Sequence, residues 1–234
     1  MKILIVSGGR ISDPFAKEFL QTHTFDQVIA ADAGLEACHR LGILPTVIMG
    51  DFDSLKDADL LKEYRRQGIP VREYPSRKDD TDTELALHCA EEIWSEGQAG
   101  ESPTGESPAG DPEAGIWLLG ATGSRLDHTL SNIGLLVPMA DRGIPCRIID
   151  EHNEMEVLKG PVEKTYERRE ELPYFSILAI NGPAEGIDLS GFSYPLYRGY
   201  IPAHVSVGIS NEITEEQALL RLREGYLLVV RSSD

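Results

Sequence analysis

Short acidic side chains gather where strands should be ending. "AADAG" (30–34) carries Asp32, "MGDFDSL" (49–55) carries Asp51 and Asp53, "KDDTD" (78–82) carries Asp79, Asp80 and Asp82, and "RLDH" (125–128) carries Asp127. The chemistry such a set would share is the binding of a hard cation. Magnesium takes oxygen ligands, commonly one or two carboxylates together with substrate phosphates and water. Without a cation the carboxylates repel, by about 4 kcal/mol per pair at ~4 Å and an effective dielectric of 20. Each aspartate also has a purely local reading, because Asp favours turns and helix N-caps. Thr81 with Glu84 fits a capping box that does no more than start a helix. Three acidic turns at successive strand ends shift the balance towards a metal site.

"GATGSRLDHTLSN" (120–132) holds complementary groups. Gly120 and Gly123 allow backbone to approach a phosphate closely. The helix that follows offers amides and its dipole to an anion. Arg125 has the forked donor geometry that suits phosphoryl oxygens. Asp127 could bind metal or cap the helix, and His128 could hold a nucleotide, relay a proton or simply lie on the surface. Other signatures are missing. There is no G-x-x-x-x-G-K-[ST] loop, no G-x-G-x-x-G turn, no H-E-x-x-H helix and no G-x-S-x-G elbow.

These groups need a scaffold, and the first 150 residues supply an alternating one. "KILIVSGG", "DQVIAADAG", "PTVIMGDFDS", "GIWLLGATG" and "PCRIID" read as buried strands running into turns. "LEACHRLGI", "TELALHCAEEIW" and "LDHTLSNIGLLVPMADRG" read as helices, the second with Ala86, Cys89, Ala90 and Ile93 on one stripe. Such alternation predicts an α/β fold with a mostly parallel sheet flanked by helices, and ligands outside the carboxyl ends of its strands. After about residue 152 short strand-like pieces follow: "MEVLKG", "YFSILAI", "GIDLSGF", "HVSVGIS" and "YLLVVRS". They predict a smaller antiparallel β domain over 151–234. "TEEQALLRLREG" fits either a short helix or a strand. Residues 95–115 are rich in Gly, Pro, Ser and Glu and have no basic residue. They read as a solvated, flexible acidic loop insertion.

Bulk properties narrow the classes. A length of 234 residues allows one large domain or two modest ones. The formal net charge of −17 argues against a nucleic-acid partner and against an Asp-rich nuclease, since polyanion binding draws on a basic surface. It leaves room for a small anion held with a cation and local arginines. No apolar run is long enough for a membrane span, and "MKILIVSGG" reads as a first strand rather than a leader. The three cysteines, Cys38, Cys89 and Cys146, have neither zinc nor disulfide spacing, so a cytoplasmic setting is expected.

In this order, "AADAG", "LGILPTVIMGDFDSL", "KDDTD", "GATGSRLDHTLSNIGLL", "GFSYPL" and "GISNEI" resemble the thiamine pyrophosphokinase (thiamine diphosphokinase) family across residues 30–213. The resemblance implies an N-terminal α/β catalytic domain (1–150), binding ATP and magnesium. It implies a C-terminal β-sandwich-like domain (151–234) for thiamine binding and dimerisation. The implied enzyme is a homodimer that moves the diphosphoryl group of ATP to the thiamine hydroxyl, giving thiamine diphosphate and AMP. Asp51, Asp53, Asp79 and Asp82 are then the expected metal ligands, with Asp51, Asp53, Asp82 and Arg125 catalytic. Asp82 is the expected proton acceptor. Asp32, Gly34, Thr122, Gly123, Asp127 and His128 are expected along the nucleotide path, and Ser210 and Asn211 against thiamine. The pattern departs from the family at "ADAG", where Asp-Gly-Gly or Asp-Gly-Ala is commoner, and at Ser124, where glycine is usual. No tryptophan near the C-terminus offers itself for stacking on thiamine. The alternatives are a relative acting on another alcohol, such as a hydroxymethylpterin, or a thiamine- or nucleotide-binding protein without turnover.

Overall fold

The computed structural model describes residues 1–53, 55–77, 79–98, 111–203 and 205–234. Most of the 95–115 insertion lies outside them. The chain divides into two compact units, Met1–Leu135 and Leu136–Asp234.

In the first unit the elements alternate: β1 (Lys2–Val6), α1 (Asp13–Thr22), β2 (Gln27–Ala31), α2 (Gly34–Leu41), β3 (Val47–Gly50), α3 (Ala58–Arg66), β4 (Val71–Glu73), α4 (Asp82–Gln98), β5 (Gly115–Leu119) and α5 (Leu126–Gly134). The strand order is β5-β1-β2-β3-β4, and these pairings are parallel. Ile3, Leu4, Ile5, Ile29, Ile48, Ile116 and Leu118 are fully buried. That is why these strands read as continuous apolar runs rather than alternating ones. Local chemistry sets the helix ends. The Thr81 Oγ1 accepts the Glu84 amide at 3.2 Å, so the expected cap forms at the start of α4. Gly42, at φ 70°, ends α2 with its N–H on the carbonyls of Cys38 and His39. From β1 the chain steps outward through β2, β3 and β4, then returns through α4 to place β5 on the other side of β1. Right-handed crossovers therefore put α1–α3 on one face and α4 on the other, and the winding reverses between β1 and β5.

The second unit opens with α6 (Leu136–Asp141). The expected single helix beyond Leu126 is thus two pieces, separated at Leu135. Pro138 has no N–H for the Gly134 carbonyl, and its ring crowds that carbonyl. Strands follow: β6 (Cys146–Ile149), β7 (Asn153–Lys159), β8 (Val162–Glu167), β9 (Tyr174–Ala179), β10 (Ala184–Ser190), β11 (Leu196–Ile201), β12 (Asn211–Glu212), β13 (Gln217–Leu222) and β14 (Tyr226–Ser232). They form antiparallel arrays in the orders β12-β9-β14-β7-β6 and β11-β10-β13-β8. One core lies between the two, with Phe175, Ile177, Leu227 and Val229 from the first array and Ile187, Leu189, Leu220 and Leu222 from the second. The antiparallel strands that the sequence predicts after residue 152 thus pack as two layers, as the family resemblance implies. "TEEQALLRLREG" resolves to strand β13, in which Ala218, Leu220 and Leu222 are buried at a period of two. The strand expected at "HVSVGIS" is not formed over the described residues 205–210. Gly208 (φ 97°) and Ser210 (φ 55°) take left-handed backbone there, which an extended ladder does not permit.

Candidate active site

The winding reversal leaves a crevice outside the carboxyl ends of β1 and β5, and the chain fills its rim with backbone-to-backbone bonds. The Ser7, Gly9 and Arg10 amides donate to the carbonyls of Leu119, Gly120 and Thr122, each at 2.8 Å. A Cβ on Gly9 would run into the Gly120 and Thr122 carbonyl oxygens, so only glycine allows the two loops to lie this close. Asn132, 5 % exposed on α5, donates from Nδ2 to the Ala121 carbonyl at 2.7 Å and pins the second loop from below. Thr83 at the start of α4 donates to the buried Ser7 hydroxyl at 3.1 Å. The result is a cavity of about 740 Å³ lined by Ser7–Arg10, Ala31–Ala33, Thr81–Thr83, Gly120–Arg125, His128, Thr129 and Asn132.

One wall is acidic. Asp32 ends β2 and Asp51 and Asp53 follow β3, and their carboxylate oxygens lie within 4.8 Å of one another. Adjacent parallel strands bring these turns together, with the Asp32 amide on the Met49 carbonyl at 2.8 Å. Gly50 sits so close that a Cβ there would be 3.0 Å from the Asp32 Cα. Asp32 itself has φ 47°, a left-handed conformation uncommon for a residue with a side chain. Three converging carboxylates form an oxygen-only donor set. Octahedral magnesium spaces such oxygens by roughly 3–4 Å, so a small contraction would let these residues hold it.

The expected site residues divide by place. Asp32, Asp82, Thr122, Gly123, Arg125 and His128 all line the cavity. Asp51 and Asp53 join it through the cluster with Asp32, a residue the family resemblance put on the nucleotide path and the fold sets beside these two carboxylates. Asp79 is exposed, and neither it nor Asp82 belongs to a group of three close metal-type ligands among the described residues. Gly34 is buried at the start of α2, where a Cβ would strike the Val6 carbonyl, so it serves close packing. Asp127 is exposed and engages Arg125 through two bonds, Nη2–Oδ2 at 2.6 Å and Nε–Oδ1 at 3.2 Å. That hydrogen bonding from Arg125 holds the Asp127 carboxyl down at about 2.

Ser210 and Asn211 belong to the second unit. Ser210 is exposed and its amide donates to the Ser176 hydroxyl at 3.0 Å. Asn211 is 4 % exposed. Its Oδ1 accepts the amides of Tyr194 and Glu212, and its Nδ2 donates to the Tyr194 carbonyl, each at 2.9 Å. It therefore anchors backbone, and Tyr194, 72 % exposed, is the aromatic group it holds in place. The sequence reading passed over Ser7–Arg10, Thr83 and Asn132. A glycine pair and an arginine directly after the first strand were the available signal for the loop; Asn132 had none, because its role depends on where Ala121 lies.

With the geometry in hand, the likeness to known proteins has a structural footing. The profile of the thiamin pyrophosphokinase catalytic domain matches residues 20–148, and that of the thiamin pyrophosphokinase vitamin B1 binding domain matches 164–227. A thiamine pyrophosphokinase of Bacillus subtilis (strain 168) is 30% identical, over 99% of each chain. The crystal structure of thiamine pyrophosphokinase from Bacillus subtilis superposes with a TM-score of 0.82 at 29% identity, covering 100% of both chains. That of thiamin pyrophosphokinase from Geobacillus thermodenitrificans gives 0.77 at 31%, covering 100% of this chain and 98% of that one. The chain belongs to the thiamine pyrophosphokinase family, a family of enzymes.

Proposed function

We propose that the protein transfers the diphosphoryl group of ATP to the hydroxyl of thiamine, with magnesium, and releases thiamine diphosphate and AMP. The observation that carries this reading is the Asp32–Asp51–Asp53 cluster, whose Asp32 lines a cavity also lined by glycine-rich backbone and Arg125. Phosphoryl transfer asks a protein chiefly for positioning and charge neutralisation. Magnesium held by Asp32, Asp51 and Asp53 would neutralise phosphate oxygens. Arg125 presents its guanidinium to the same phosphates, and Gly120 and Gly123 let backbone approach them. Asp82, at the first turn of α4 and on the cavity wall, would accept the proton of the attacking alcohol.

The second unit, with Ser210 and the exposed Tyr194, would supply the thiamine-facing surface and, in a homodimer, the contact between copies. Exposed Tyr197, Val207 and Ile209 support that interface. The three cysteines are buried free thiols, and burial pushes Cys38 up to about 12, which suits a reducing cytoplasm. No helix among the described residues is long and apolar enough to cross a membrane.

Incubation with ATP, magnesium and thiamine, following AMP and thiamine diphosphate together, tests the reading. The two products are expected in equal amounts. Folded protein that binds ATP and thiamine yet yields neither product would make it a binding protein. Turnover only with a hydroxymethylpterin would move the acceptor.

A further inference from the structure

We propose that Arg10 is a second phosphate clamp of the cavity and makes the first guanidinium contact with the polyphosphate of the nucleotide. The inference rests on the ATP reading above. Arg125, the arginine legible as a phosphate ligand, is already held in two bonds by Asp127. A phosphate reaching Arg125 must therefore compete with a carboxylate that stays ionised down to about pH 2. Arg10 lines the same cavity, is exposed, and has no side-chain ion pair among the described residues. Its place is fixed by its neighbours. Its amide bonds the Thr122 carbonyl at 2.8 Å, and Gly9 is locked against Gly120 and Thr122. A Cβ on Gly123 would lie 3.3 Å from the Arg10 nitrogen and 3.9 Å from its Cβ, so the Arg10 side chain leaves the backbone beside the Gly123–Arg125 turn. Among the described residues of the cavity, Arg10 and Arg125 are the two arginines, and Asp32 and Asp82 line the same cavity. A polyphosphate bound in this cavity would meet carboxylates able to hold a cation and a guanidinium with no ion pair among the described residues.

The test is calorimetric binding of ATP with magnesium, of inorganic pyrophosphate with magnesium, and of adenosine, all without thiamine. Wild type is compared with Arg10→Gln, Arg10→Lys and the surface control Arg66→Gln. Loss of a charge-assisted contact should weaken ATP and pyrophosphate by about ten- to a hundredfold in Arg10→Gln. Arg10→Lys should recover part of that loss, because it keeps the charge and loses the fork. Adenosine binding should be unchanged in the Arg10 variants, and all three affinities should be unchanged in Arg66→Gln. Wild-type binding of ATP that Arg10→Gln retains overturns the inference alone. Equal loss of adenosine and ATP also overturns it, since the change is then structural. Wild-type protein that binds neither ATP nor pyrophosphate overturns both the inference and the functional reading.

Discussion

Asp51 and Asp53 are separated by one residue, and Asp32 reaches them only because β2 and β3 are neighbours. If the three carboxylates hold the cation, removing one should lower turnover without unfolding the chain. Asp51→Asn and Asp82→Asn are each expected to lower turnover at least about a hundredfold. The thermal midpoint without metal should be unchanged or slightly raised. A variant that keeps near-normal turnover would take that residue out of the catalytic set. Asp127 behaves differently, because its charge is directed at Arg125. Its folded-state value is depressed, so the pair is complete above the ordinary value of 3.8 and is lost as pH falls towards about 2. Carboxyl NMR titration should place its midpoint near 2, and Arg125→Gln should return it towards 3.8.

At the scale of elements, two buried polar groups tie pieces of chain together. Asn132 joins α5 to the loop after β5 through its bond to the Ala121 carbonyl. Asn132→Ala should cost about 1–3 kcal/mol in urea unfolding and raise the KM for ATP with little effect on that for thiamine. In the second unit Glu156 on β7 accepts from Lys164 at 2.5 and 2.6 Å and from Tyr166 at 2.8 Å, both on β8. The Arg147 Nε on β6 lies 4.0 Å away. Burial pushes the Glu156 carboxyl up, but Lys164, Arg147 and the two hydrogen bonds outweigh it and leave it below 4.5. A depressed value means this stabilisation is present above pH 4.5 and lost as pH falls through the folded-state value. Glu156→Gln strands cationic partners in a largely buried setting and should cost about 3–5 kcal/mol by denaturant unfolding at pH 7. The wild-type advantage over it should shrink in acid. An equal gap at every pH would assign the effect to packing.

For the whole molecule the open prediction is assembly. Large apolar side chains exposed among the described residues are Leu44, Leu126 and Leu130 in the first unit, and Tyr194, Tyr197, Tyr200, Val205, Val207 and Ile209 in the second. Scattered singly they would need no explanation, but in the second unit they cluster within sixteen positions, 194–209. Sedimentation equilibrium should give a dimer of the 25.8 kDa chain. Tyr197→Glu combined with Ile209→Asp should shift it to monomer with circular dichroism unchanged. If thiamine is held between copies, turnover should fall with the dimer; a fully active monomer would place the whole thiamine site within one chain.

Much of this protein was legible in the linear chain, for reasons that are local. Apolar runs ending in Gly and Asp mark buried parallel strands and their turns, and the period of side-chain burial separates helices from strands. Thr81 caps α4 through the Glu84 amide, three residues on. What the chain could not show was decided by pairing at long range. Residues 217–222 fit helix or strand until β8 and β10 paired with them. Asp32 became a partner of Asp51 and Asp53 through strand adjacency, while Asp79 stayed outside. Arg10 entered the site because β5 returns beside β1, bringing together loops more than a hundred residues apart. Residue types and spacing determine which chemistry is available, since side chains carry it. Tertiary structure decides which groups meet, since convergence depends on contacts between segments that sequence order does not bring near.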